Sequence, residues 1–317
     1  MNETVASIVV TFNRPQQLIE GIEGILEQSR MPDRLYIIDN QSNSETFELL
    51  YEKGWLKEKP TEADKENQLI ITPLKISNLD NPEFAIHYIR MAKNEGGAGG
   101  FYTGMKAAFD DGFQWLWMMD DDGVPAIEQL NELLYHSDKS NLLFSNALVT
   151  SIYDQRFLAF DLNKFQKTEE VTEQPVLKGI VAAFNGTLIS RKVVEEIGFI
   201  KREMFIWGDE TEYINRVRKN NFEIGTITTA IHRHPMMKGK RDNVLPFTDK
   251  YKIVVKPKHF SHFYYRNLGY NTATYANKKA VNALFILYVT YFFRKGDFKE
   301  LVKFNRYFKN GTQNKFD

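Results

Sequence analysis

QWLWMMDDDGVP, residues 114–125, sets three carboxylates in a row directly after an apolar stretch. Trp115 through Met119 are large and apolar, the composition of a strand buried on both faces. Three like charges in sequence repel one another, and no strand requires them. Asp120-Asp121-Asp122 therefore mark either a solvated turn or a place where carboxylates hold a cation. On an extended segment the first and third side chains project to the same side, so Asp120 and Asp122 are the pair placed to share a metal or its waters. Asp121 points elsewhere, toward a sugar or ribose hydroxyl. Hard divalent cations such as Mg2+ or Mn2+ take oxygen ligands of this kind and bridge to phosphates.

Upstream the same pattern recurs. Residues 6–12 (ASIVVTF) are β-branched and apolar, and Asn13-Arg14-Pro15 ends them, with Pro15 suited to the first turn of a helix over 16–28. A second strand at 34–38 ends at Asp39-Asn40, and a helix follows residues 42–44. A polar, looping stretch (57–68) and a short segment at 69–72 precede a third strand at 84–90; residues 100–113 read as helix. Strand and helix in alternation predict a mostly parallel α/β sheet. In such sheets ligands collect at the carboxyl ends of the strands. The polar residues at those ends are Thr11, Asn13 and Arg14, then Asp39 and Asn40, then Asn94 through Gly100, and then the acidic triplet. Four polar ends converging on one edge favour a site over four separate turns.

NEGGAGGF, residues 94–101, is glycine-rich in a way that permits close backbone approach to a phosphate or sugar at a helix start; a flexible loop is its bland reading. The spacing is neither the dinucleotide fingerprint nor a Walker loop. Downstream, helices are expected over 127–135, 192–197 and 211–219, strands over 142–149, 180–189 and 223–231, and loops over 150–175. In FIWGDETEY (205–213), Asp209, Glu210 and Glu212 crowd a helix start, where the dipole favours them. A carboxylate beside a tryptophan in a cleft is also how a general base is built, and Trp207 offers a flat face to a sugar ring. His232 and His234 follow a strand and are two of only six histidines; either would complete a metal shell with the aspartates, and His232 lies nearer the strand end.

Lysine plus arginine and aspartate plus glutamate both count 41, so no global attraction to nucleic acid or anionic membrane is expected. The absence of cysteine excludes disulfides and thiolate metal sites, and the N-terminus has no signal-peptide pattern. The longest apolar run, 283–293, falls short of the roughly 20 residues of a spanning helix. The expected location is the cytoplasm. From about residue 262 the chain reads as helical, aromatic and basic, a packed amphipathic pair or a surface that touches anionic lipid head groups.

In order, TFNRP, IIDN, NEGGAGGF, MMDDDG, FNGTLIS, FIWGDETEY and HRH resemble family 2 glycosyltransferases of the GT-A fold, over roughly residues 5–240. The full acidic triplet with the glycine-rich segment is most similar to the galactofuranosyltransferase branch, with rhamnosyltransferases next. The resemblance implies a Rossmann-like mixed, mostly parallel sheet flanked by helices (1–250) with a C-terminal helical extension (251–317). It implies an inverting transferase that moves a sugar, first UDP-galactofuranose and second dTDP-rhamnose, to a hydroxyl of a polysaccharide or lipid-linked glycan. By that likeness Thr11, Asn13, Arg14, Asp39, Asn94 and Asp121 hold the nucleotide, and Gly96 and Trp207 lie along the sugars. Asp120 and Asp122, with His232 or His234, carry Mn2+ or Mg2+. The base is Glu210, where the family usually has Asp, so Asp209 is its rival. Peripheral contact at the cytoplasmic membrane face and a homo-oligomer are compatible with this reading, nucleic acid is not. The C-terminal Tyr264-Tyr265-Arg266-Asn267 would help present a lipid-linked acceptor. A non-catalytic nucleotide-sugar-binding scaffold is the competing class. A nucleotidyltransferase is disfavoured, because Thr-Phe-Asn-Arg-Pro stands where its basic glycine-rich loop would be.

Overall fold

A computed structural model describes residues 3–61, 66–74, 84–236 and 241–316; residues 62–65 of the polar stretch at 57–68 lie outside them. The chain divides into two compact units, Met1–Arg202 with Arg216–Met237, and Glu203–Asn215 with Lys238–Asp317.

The first unit is built on one sheet. β1 (Val5–Thr11) is buried along its whole length, as a run of small and β-branched apolar residues requires when both faces are covered. α1 (Pro15–Leu26) starts on Pro15 and buries Leu18, Ile19, Ile22 and Ile25. Then come β2 (Arg34–Asp39), α2 (Ser44–Glu52), β3 (Gln68–Pro73) and β4 (Ala85–Arg90). α3 (Gly96–Asp110) leads to β5 (Trp115–Asp120) and the two-residue β6 (Val124–Pro125). α4 (Gln129–Ser140), β7 (Phe144–Ser151), β8 (Phe157–Leu162), β9 (Phe165–Lys167), β10 (Val176–Lys178), β11 (Thr187–Ser190) and α5 (Arg191–Ile197) follow. α6 (Asp209–Lys219) begins in the second unit and ends in the first, and β12 (Ile224–His234) completes the sheet.

The strand order is β10-β12-β7-β11-β5-β1-β2-β4-β3. β1 is parallel to β2 and β5, β2 to β4, and β7 to β12; β3, β10 and β11 run antiparallel to their neighbours. The mixed sheet anticipated from the alternation is present, with its central strands β5-β1-β2-β4 all parallel. Two local expectations differ. Residues 150–175 contain the hairpin β8–β9, and the strand at 180–189 contracts to Thr187–Ser190.

The glycine-rich stretch is the first turn of α3 rather than a loop. Its glycines let α3 sit on the sheet: a Cβ on Gly100 would come 2.4 Å from Val10 Cγ1, and one on Gly104 2.4 Å from Ile8 Cγ2. Tertiary packing here outweighs the low helix propensity of glycine.

The second unit holds the hairpin β13 (Arg241–Leu245) with β14 (Thr248–Val254) and three helices, α7 (Ser261–Tyr275), α8 (Lys278–Lys295) and α9 (Phe298–Thr312). Tyr265, Tyr288, Phe292, Phe304 and Phe308 form its core. Among the described residues, no helix is long and apolar enough to cross a membrane.

Candidate active site

The parallel register brings the strand ends together. Thr11 lies opposite Asp39, and Val10 opposite Asp120, so β1, β2 and β5 deliver their polar ends to one edge of the sheet.

Asp121 ties this edge together. Its Oδ2 accepts from Thr11 Oγ1 at 2.7 Å and from the Phe12 N–H at 3.3 Å, and its Oδ1 accepts from Arg14 at 3.0 Å. Burial pushes its carboxyl up to about 6, although Arg14 and Thr11 pull the other way. Its oxygens are thus committed to the turn after β1. Arg14 also reaches Asp122 at 2.7 Å. Asn13 takes a left-handed φ of 56°, donates its N–H to Ser42 Oγ and accepts from the Asn43 N–H at 2.8 Å, which fixes the turn against the loop after β2.

Asp39 is fully buried. One oxygen accepts from the Ser42 N–H at 2.7 Å, the other from Tyr88 Oη and from Arg90 at 3.3 Å. Asn40 bridges to the glycine-rich turn: its amide donates to the Gly96 carbonyl at 2.8 Å and its Oδ1 accepts from the Glu95 N–H at 2.9 Å. Asn94 accepts from the Gly96 N–H at 2.8 Å. Gly96 has a φ of 69°, and a Cβ on Gly97 would meet nothing within 4 Å, so the backbone is bare toward open space here. A cavity of about 420 Å³ opens beside this turn, lined by Met91, Lys93, Glu95 and Arg202. Glu95 pairs with both cations there.

Asp120, Asp122 and His234 form a group whose ligand-type atoms all lie within 4.8 Å of one another. His234 is buried; its Nδ1 donates to the Pro235 carbonyl at 2.7 Å and its Nε2 faces Asp122 Oδ1 at 2.9 Å. A carbonyl on one ring nitrogen fixes the tautomer and aims the other at a metal position. Burial works to raise Asp122, but the His234 hydrogen bond and charge, with Arg14, hold its carboxyl below the usual value. Two carboxylates and an imidazole suit Mn2+ or Mg2+.

His232 sits differently. It is fully buried, its Nδ1 lies 3.2 Å from Gln129 Oε1, and its Nε2 has no hydrogen-bond partner among the described residues. A Cβ on Gly123 would come 2.0 Å from that nitrogen. Burial pushes the imidazole down to about 3, so the ring is neutral, wedged beneath the acidic turn. The geometry therefore groups His234, rather than His232, with the aspartates.

In the second unit, the segment leading to α6 has an irregular backbone, with φ of 65° at Phe205, 62° at Trp207 and 109° at Gly208. Left-handed φ at two aromatic residues persists only where surroundings hold it. α7 supplies the hold. Fully buried Asn267 donates its amide to the carbonyls of Met204, Ile206 and Trp207 at 2.8, 3.0 and 3.0 Å. One turn on, Asn271 donates to the Gly208 carbonyl at 2.8 Å, and Tyr275 Oη to Glu212 Oε1 at 2.8 Å. Arg266 donates to the Glu203 carbonyl at 2.7 Å. Tyr265, Arg266 and Asn267 are thus interior residues, not an acceptor-presenting surface. Asp209 is buried; Glu210 is half-buried and accepts from the Gly208 N–H at 3.1 Å. Lys256 lies 4.6 Å over the Trp207 ring. Asn40 is among the polar strand ends the sequence singles out; Asn267 reads there as part of an acceptor-presenting motif and Asn271 is not singled out, since an asparagine in a helix carries no pattern of its own.

Comparison with known proteins bears on this arrangement. The glycosyl transferase family 2 model matches residues 72–198. Galactofuranosyltransferase GlfT1 of Mycobacterium tuberculosis (strain CDC 1551 / Oshkosh) is 31% identical over 243 residues, 74% of this chain and 71% of its own. The protein of that name from Mycolicibacterium smegmatis (strain ATCC 700084 / mc(2)155) is 28% identical over 290 residues, 84% of this chain and 82% of its own. Among solved structures, GalNAc-T7 with UDP, GalNAc and Mn2+ superposes with a TM-score of 0.52 at 14% identity, over 84% of this chain and 48% of that one, a likeness of fold alone. A mixed sheet with a parallel centre and acids at its strand ends, and these relatives, define the protein as a glycosyltransferase of the GT-A fold. The chain belongs to glycosyl transferase family 2, in its galactofuranosyltransferase-like branch.

Proposed function

We propose that the protein is an inverting, divalent-metal-dependent galactofuranosyltransferase that uses UDP-galactofuranose and a hydroxyl of a glycan or lipid-linked glycan. The observation that carries the metal reading is the group Asp120, Asp122 and His234, with His234 aimed by the Pro235 carbonyl. The names of the relatives support the galactofuranosyl donor, and the UDP and Mn2+ of the fold neighbour are of the same chemistry. When bound, Mn2+ or Mg2+ neutralises charge on the departing diphosphate.

The chain's own residues do the rest. The turn after β1, with Thr11, Asn13 and Arg14, and the end of β2 at Asp39 frame the nucleotide, and Asp121 acts by holding that turn. The bare backbone at Gly97 admits the diphosphate or donor sugar at the start of α3, beside Gly96, which is buried with its N–H and carbonyl engaged by Asn94 and Asn40. Glu210, half-buried where Asp209 is buried, takes the proton of the acceptor hydroxyl. The freed oxygen forms its bond to the anomeric carbon on the face opposite the diphosphate, whose bond breaks with inversion.

The test is incubation with Mn2+, a glycan acceptor and either UDP-galactofuranose or dTDP-rhamnose, followed by product mass and anomeric NMR. Transfer from UDP-galactofuranose with inverted configuration is expected. Transfer from dTDP-rhamnose alone, or retained configuration, overturns the proposal.

A further inference from the structure

α8 and α9 leave an apolar face uncovered. Ile286 and Phe293 on α8 are 61% and 67% exposed, and Phe298 and Val302 on α9 are 57% and 69% exposed. Phe293 and Phe298 touch edge to face with ring centroids 5.9 Å apart, so the two helices present one continuous apolar strip. A cluster of large exposed apolar side chains marks an interaction surface.

The charge around the strip is of one sign. From Lys278 to Thr312 the chain carries eight lysines and arginines against two acids, in a protein whose totals are equal. Both acids are already engaged, Asp297 by Lys258 and Glu300 by Lys303 at 2.9 Å. Lys279 lies seven residues before Ile286 and fourteen before Phe293, on the same face of α8. Lys299, Arg306 and Lys309 flank Val302 on the exposed face of α9.

We infer that this strip docks the protein on an anionic phospholipid surface, with the four apolar side chains in the head-group and acyl boundary and the basic residues on lipid phosphates. A basic rim around an exposed apolar strip has the complementarity such a surface requires. A second copy of the chain fits worse, because a two-fold contact through this face sets lysines and arginines against themselves. α8 and α9 lie on the membrane and do not span it.

The docking deepens the lipid-linked acceptor reading, but its test measures binding and not transfer, so its failure leaves the transferase reading standing. The full chain is sedimented with phosphatidylcholine vesicles with and without about one-third phosphatidylglycerol. Binding to the anionic vesicles alone is expected, falling as salt is raised. Ile286→Glu with Val302→Glu, and separately Lys279→Glu with Lys299→Glu and Arg306→Glu, should each weaken it at least about tenfold. All these side chains are exposed, so the thermal midpoint should hold. No binding by the native chain at low salt overturns the inference, as does binding by both variants equal to that of the native chain. So does a solution dimer that Ile286→Glu with Val302→Glu dissociates, which would make the strip a self-interface.

Discussion

Asn267, on α7, donates its side-chain amide to the main-chain carbonyl of Trp207 at 3.0 Å, sixty residues earlier in the chain. The same nitrogen serves Met204 and Ile206, so one buried amide holds three carbonyls in the segment that ends at Asp209-Glu210. α7 therefore holds the segment that leads into the acid pair. Asn267→Ala should lower stability by about 1–3 kcal/mol, because buried carbonyls lose their donor. It should also lower kcat by about tenfold or more as the acids lose their placement. The donor KM should stay within about twofold, since the residues proposed to frame the nucleotide lie in the other unit. Asn267→Asp should be worse than Ala on both counts, because a carboxylate there faces carbonyl oxygens. Thermal melts and steady-state kinetics check the order.

The two histidines of β12 separate in a metal titration. His234→Ala removes the proposed ligand, whose other nitrogen is fixed by a carbonyl, and Mn2+ affinity should fall about 10–100-fold by calorimetry. His232→Ala removes a buried ring beneath Gly123. It should cost about 2–4 kcal/mol through the cavity it leaves while Mn2+ affinity changes little. The reverse pattern would return the metal role to His232.

This difference shows what the sequence could and could not disclose. The strands that build the edge were legible because Ile8-Val9-Val10, Ile37-Ile38 and Trp117-Met118-Met119 are continuous apolar runs that stop at polar residues. The choice between His232 and His234 was not, because it depends on β12 running to His234 past an irregularity between Ile227 and Ile231. The glycines of 96–100 read as backbone at a helix start or as a flexible loop, and only the closeness of Val10 shows why they lie inside the helix. The hairpin β13–β14 was not foreseen either, since Arg241–Leu245 and Thr248–Val254 are largely polar and half-exposed. Tyr265, Arg266 and Asn267 looked like a polar surface motif, and nothing local announces that they turn inward.

Two glycines of α3 should respond with opposite signs to the same substitution. Gly100→Ala drives a methyl group to 2.4 Å from Val10 and should destabilise the fold by about 1–3 kcal/mol. Gly97→Ala meets nothing and gains helix propensity, so stability should rise by up to about 1 kcal/mol. If that backbone is where the diphosphate or donor sugar approaches, Gly97→Ala should nonetheless weaken donor binding. Melting curves with and without UDP distinguish the two effects, since a ligand that binds only the native state raises its apparent stability.

The acid pair divides by exposure. Glu210 is half-buried and its carboxylate accepts from the Gly208 N–H, whereas Asp209 is buried. Glu210→Gln keeps an acceptor oxygen for that N–H, so the fold and UDP binding should persist. It removes the proposed proton acceptor, and kcat should fall by about 10²–10⁴-fold. Asp209→Asn should lower stability more and kcat less, because a buried carboxylate acts first on its surroundings. Turnover that survives Glu210→Gln but is lost in a well-folded Asp209→Asn would move the base by one residue and require the acceptor to reach the more buried acid.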